Sequence, residues 1–225
     1  MSSSGETQIE PLVPERPALS KPARWAVFGT VLLVGFVLLG LVARTLPGVP
    51  VVPLAEPART WALIIIAQIT RLVPYVGAIV MVWLTLARPQ WSDRFLWSAA
   101  LILTAAELAP FAAMPFHHPA GSAELVVPPY PNPASVTGLI GFGTWLLIVD
   151  RGNLSPNPKR ALGIVMILGL LIALVGAVFA GYGRLIDAGG ALLFAGACWC
   201  YGMFLAESVG IDLFALNQGD EADRG

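Results

Sequence analysis

Charge is what this chain is short of. Charged residues make up 12% of it, about half the share of a soluble domain, and no run of like charges or low-complexity repeat occurs. A net charge of −1 with a pI near 6.1 gives no basic footprint for nucleic acid. The two cysteines, Cys198 and Cys200, are one residue apart within an apolar segment. Helical positions two apart do not face each other, so Cys-Trp-Cys reads as small apolar packing and not as a disulfide or chelate. His117 and His118 are the only histidines. They adjoin each other outside the apolar runs, so they cannot clamp opposite faces of a haem. The motifs HExxH, GxxxxGK(S/T) and GxSxG are missing, and Gly141-Phe142-Gly143 lacks the next glycine of a dinucleotide loop. No catalytic constellation is visible, and a non-enzyme is expected.

What the chain does have is long apolar runs. Hydrophobic residues make up 56% of it and mean hydropathy is +0.75. A bilayer-spanning helix needs about 20 predominantly apolar residues, and six segments approach or exceed that: roughly 25–45, 60–86, 95–115, 135–150, 161–182 and 187–206. The expected fold is an all-α, polytopic transmembrane bundle of about six spans. The fourth segment is short and rich in small residues (Gly138, Gly141, Gly143, Thr144), which marks it as tilted or covered by protein. Residues 1–24, rich in Ser, Pro and charge, read as a disordered tail, and 207–225 as a short polar one. The run from Trp25 to Val42 is longer than a signal-peptide core and no Ala-x-Ala site follows, so it reads as an uncleaved first span.

The positions of Lys and Arg set an expected orientation. With both termini in the cytoplasm, the inner segments hold Arg16, Lys21, Arg24, Arg88, Arg94, Arg151, Lys159, Arg160 and Arg224, against Arg44, Arg59 and Arg184 outside. Trp25, Trp61, Trp91 and Trp97 fall near the predicted interfaces, as an aromatic belt would. Two longer connections then face outward. Leu46–Ala58 is studded with prolines, and 115–133 contains His117, His118 and Pro128-Pro129-Tyr130-Pro131-Asn132-Pro133. Small residues recur at four-residue spacing in the last two spans (Ala173/Ala177/Gly181, Gly176/Ala180, Ala191/Ala195), a pattern that lets helices approach closely within the chain or against another.

Two charges lie near the middle of spans, Arg71 in Thr-Arg-Leu-Val-Pro and Glu107 in Ala-Glu-Leu-Ala-Pro. At about 1.5 Å per residue, both lie roughly 3 Å outward of the midpoints of their spans. An unpaired charge there costs about 2.5–3.5 kcal/mol on insertion scales. An Arg71–Glu107 ion pair facing the bundle interior is therefore expected, with Gln68, Thr70 and Thr104 as further partners. Pro74 and Pro110 each free a backbone carbonyl within a turn of the charged residue and are the expected helix kinks. Such a pair either registers two helices or serves an ion path. Just beyond, Met114, His117 and His118 offer thioether and imidazole donors, which suit copper.

The first half resembles the N-terminal part of the copper resistance D membrane proteins. The likeness covers about residues 25–115 and rests on the first span, Leu46-Pro47-Gly48, the Thr-Arg-Leu within the second span followed by Tyr75-Val76-Gly77-Ala78, and Asp93-Arg94 before the third. It implies copper handling in a bacterial inner membrane, with Arg71 as the shared polar position. Two functions are thus expected. One is a non-catalytic subunit of a larger inner-membrane complex, docking on other subunits or a second copy through small-residue faces and the outer proline-rich loops. The alternative is a copper or proton transporter or sensor, using Arg71–Glu107 and the outer Met/His site.

Overall fold

In a computed structural model the chain is described over residues 20–45, 55–87, 89, 92–116, 130–151, 156–179 and 184–211; for 69–71, 147–151, 175, 177 and 179 only the backbone is described. Six helices form: α1 (Lys21–Thr45), α2 (Ala58–Ala87), α3 (Ser92–Ala113), α4 (Pro133–Arg151), α5 (Pro156–Phe179) and α6 (Leu185–Ser208), with a 3₁₀ turn at Met114–Phe116. No strand occurs among the described residues. In hydrocarbon every backbone N–H and C=O must find a partner within the chain, and a helix supplies nearly all of them locally.

Among the described residues five helices, α1, α2, α3, α5 and α6, are long and apolar enough to cross a bilayer. The chain is therefore an all-helical, multi-pass membrane protein with five to six spans. Helix boundaries differ from the sequence expectation mainly at the starts. α1 begins at Lys21 and α5 at Pro156, because polar residues at a water interface extend a helix beyond its apolar stretch. At the other end, α6 continues through Ser208, two residues into the segment read as tail.

α4 holds the middle of the fold, packing against α2, α3, α5 and α6. Its small and hydroxylic residues explain this placement. Ser135, Thr137, Gly138, Gly141 and Thr144 are all buried, and they let four neighbours come close. Thr144 donates its hydroxyl to the Ile140 carbonyl at 2.7 Å, which removes an otherwise unpaired donor from the interior. The segment thus suits a helix covered by protein on several sides. Its start follows from Asn132-Pro133. Asn132 Oδ1 accepts from the Ala134 N–H at 3.0 Å and the Ser135 N–H at 3.4 Å, and Pro133 supplies the first helical position without an unused donor.

α1 and α6 form an antiparallel pair, and among the described residues α1 otherwise packs only on the 3₁₀ turn Met114–Phe116. Most of the inward face of α6 is Ala and Gly, with Ala191 and Ala195 buried in the main core beside Phe36 and Ile140. The small-residue spacing of α6 is thus used within the chain. In α5, Ala173 is buried too and Gly176 faces Ile66 of α2; Ala177, Ala180 and Gly181 lie outside the described side chains.

At one end of the α1–α6 seam, Tyr130 inserts its ring between two glycines. A Cβ at Gly190 would collide with the Tyr130 ring, and one at Gly40 would come within 2.7 Å of it. The ring stacks on Phe36 at 5.3 Å and meets Phe116 edge-on at 5.2 Å. Its hydroxyl donates to the Phe36 carbonyl at 2.7 Å. That carbonyl has a second lone pair to offer beyond its helical bond, and Gly40, one turn on, leaves it uncovered. Replacing Gly190 by Val should expel the ring or spread the seam, with overpacking of about 1–3 kcal/mol. Thermal unfolding in detergent should fall by several degrees, whereas Gly143→Ala, where a Cβ meets nothing, should leave it unchanged.

Candidate functional site

Polar side chains gather in three places. The first is an ion pair, but not the one expected from sequence. Arg184, just before α6, grips Asp187 on its first turn: Nη2 donates to Oδ1 at 2.9 Å and Nε to Oδ2 at 3.1 Å. The Arg184 backbone N–H adds a bond to Asp187 Oδ2 at 2.7 Å, closing the helix start. Nη1 then crosses to the Ala43 carbonyl of α1 at 3.0 Å. The carboxylate is fully buried and the guanidinium nearly so. A bidentate, charge-assisted pair with all three guanidinium nitrogens bonded to an oxygen makes such burial tolerable. It ties the end of α1 to the start of α6, directly beside Tyr130. Burial, and secondly the nearby Asp187 charge, push the Tyr130 hydroxyl well above the usual tyrosine range, so it stays a donor.

The sequence reading took Arg184 only as an outward charge and passed over Asp187. The signal was available: an acidic residue three positions after the residue opening an apolar run is half of a helix-capping pattern. That these two charges belong to each other, and to Ala43 far off in sequence, could come only from the packing of α1 on α6.

The second cluster sits at the opposite end of the same seam. Glu207 Oε1 accepts from Trp25 Nε1 at 3.1 Å and pairs with Lys21 Nζ at 3.2 Å. Nearby, Trp97 Nε1 donates to the Gly202 carbonyl at 3.1 Å. Two of the four belt tryptophans therefore serve as hydrogen-bonding ties between helices, while Trp61 faces outward and Trp91 lies outside the described residues. These two clusters clamp the α1–α6 pair at both ends and read as architecture.

The third place is α3. Glu107 is exposed on its outer surface, which corrects the expectation that it faces the bundle interior. The reason is helical phase. The buried face of α3 runs through Phe95, Ala99, Ile102, Ala105, Ala109 and Ala113, and Glu107 lies on the opposite side. Among the described residues, no hydrogen bond or ion pair reaches it. Arg71 lies in α2, 16 residues before its end, and Glu107 lies 15 residues after the start of α3, so the backbone levels do match. The side chains of Arg71 and Thr70 lie outside the described residues, and the expected pair lies outside them too. Gln68 and Thr104 are exposed like Glu107. Pro74 and Pro110 both lie inside continuous helices, Pro74 buried and Pro110 exposed.

Beside this face a groove of about 300 Å³ opens between α3 and α6, bordered by Leu101, Thr104 and Leu108 on one side and Cys198, Tyr201 and Leu205 on the other. Both cysteines are free, as their spacing implies. Met114 is exposed in the turn after α3, while His117 and His118 lie outside the described residues. No group of three or more His, Cys, Asp or Glu side chains able to hold a metal occurs among the described residues. Comparison with protein families, curated proteins and solved structures finds no match for this chain.

The clamp makes two measurable claims. Asp187→Ala leaves a buried guanidinium unpaired and should cost about 3–5 kcal/mol, while the double replacement Arg184→Met/Asp187→Leu should recover most of that loss, checked by a double-mutant cycle on detergent stability. The Tyr130 shift fixes a sign as well. Its folded-state pKa is raised above the ordinary value of 10.0, so its contribution is fully present below about pH 10 and is lost as pH rises further, because only the unfolded chain gives up the proton. The difference in stability between wild type and Tyr130→Phe should be flat from pH 6 to about pH 9 and shrink above pH 10.

Proposed function

We propose that this chain is a non-catalytic integral subunit of a larger membrane assembly, docking through the outward face of α3. The setting is a bacterial inner membrane, as the resemblance to the copper resistance D proteins implies. One observation carries the reading: a carboxylate, Glu107, stands on the outer surface of an apolar, membrane-length helix. Facing lipid alone, an ionised carboxylate near mid-span costs about 2.5–3.5 kcal/mol. Ionisable residues within spans ordinarily face protein or a water-filled cavity, so an outward one marks the place where more protein belongs. Thr104, one turn away, and the groove alongside extend the same face.

The docking surface differs from the one read in the sequence. The small residues of α6 are consumed by α1 and α4, and the two proline-rich connections lie largely outside the described residues, so the contact is assigned to α3. The remaining polar clusters support a subunit role by their saturation, since Arg184, Asp187 and Tyr130 spend their bonds holding helices together.

Native mass spectrometry after mild solubilisation from the source membrane tests this. Wild type should emerge bound to another chain, above the 23.8 kDa of the chain alone. Glu107→Gln should be inserted and folded, with an unchanged melting temperature, yet emerge mostly as the bare chain. A wild type that emerges alone under conditions preserving other membrane complexes would refute the subunit reading.

A further inference from the structure

The outward face of α3, continued by the 3₁₀ turn after it, has a pattern beyond its single charge. Ala100, Thr104, Glu107, Phe111 and Met114 are all exposed and follow one another at intervals of four, three, four and three residues. That spacing is the seam of a left-handed helix pair, in which each position fills a hole on a facing helix. Along it the side chains grade from small, through one carboxylate, to large. Ala100 and Thr104 permit close backbone approach, and Phe111 and Met114 supply bulk toward the Tyr130 end. The α3/α6 groove runs along the flank of the seam at Thr104, with room for a large apolar side chain from an incoming helix.

Resting on the subunit reading, we infer that the occupant of this face is a single transmembrane helix of a partner protein carrying a lysine or arginine opposite Glu107. Charge complementarity selects that chemistry. A carboxylate at this level needs either a proton or a cation, and a basic residue on a facing helix removes the cost of both buried charges at once. An amine at a lipid headgroup stays at the interface. Glu107, by contrast, lies 15 residues into a 25-residue membrane-length segment, Ser92–Phe116, where a headgroup does not reach. A second copy of this chain would set Glu107 against the like seam of its twin, bringing two carboxylates together.

The test uses the whole protein in lipid vesicles with a fluorescent donor, and synthetic leucine-alanine transmembrane peptides bearing an acceptor. One peptide carries a single mid-span lysine and the other leucine at that position. Wild type should bind the lysine peptide at a roughly ten-fold lower peptide-to-lipid ratio than the leucine peptide. Glu107→Gln should abolish the preference and Glu107→Asp should keep most of it. Thr104→Trp, which leaves the charge but fills the seam, should weaken binding of both peptides. Equal binding of the two peptides by folded wild type overturns the inference; so does a preference that survives Glu107→Gln. If the peptides are not distinguished but the native complex still forms, the partner chemistry fails and the subunit reading stands.

Discussion

Tyr130 can enter the α1–α6 seam only because Gly40 and Gly190 leave its ring room, and the consequences of that fit spread through the molecule. With the ring in place, its hydroxyl reaches a helical carbonyl, Phe36 and Phe116 pack against its faces and edge, and the chain just after it is held where Asn132 can begin α4. Arg184 and Asp187 close the same end, and α6 can then present a face made mostly of Ala and Gly to α1 and α4. Lipid offers no hydrophobic drive for helices to associate, so close packing and satisfied hydrogen bonds must do that work. The seam has both.

That logic sorts the polar residues. Those bonded within the chain, Arg184 with Asp187 and Ala43, and Glu207 through Oε1 with Trp25 and Lys21, hold helices. Glu107 has no such bond among the described residues, and its position on an outward ridge makes it the member of the set directed away from the fold. On the reading proposed above, such a residue is explained by what it meets outside.

Legibility from sequence varied with the length scale of the interaction. Six apolar segments could be counted directly, because insertion depends on residue composition summed over about 20 positions. The unusual character of the fourth segment was readable from Gly138, Gly141, Gly143 and Thr144. Orientation around each helix axis was not. Depth matching of Arg71 and Glu107 uses the rise per residue, which is uniform, and the backbone levels agree. Whether Glu107 points inward depends on which neighbours α3 acquires, and α3 took its inward face from Phe95, Ile102 and the alanines between and beyond them.

By itself the sequence determined that this is a multi-pass helical membrane protein, since a chain so poor in charge and so long in apolar runs has no other way to satisfy its backbone in hydrocarbon. It also determined where the helices fall and the levels at which the charges sit. Tertiary structure decided which charges meet. Arg184 found Asp187 and Ala43, and Tyr130 found its pair of glycines, because partnership between residues distant in sequence is set by the packing of whole helices and by steric fit that no local pattern encodes.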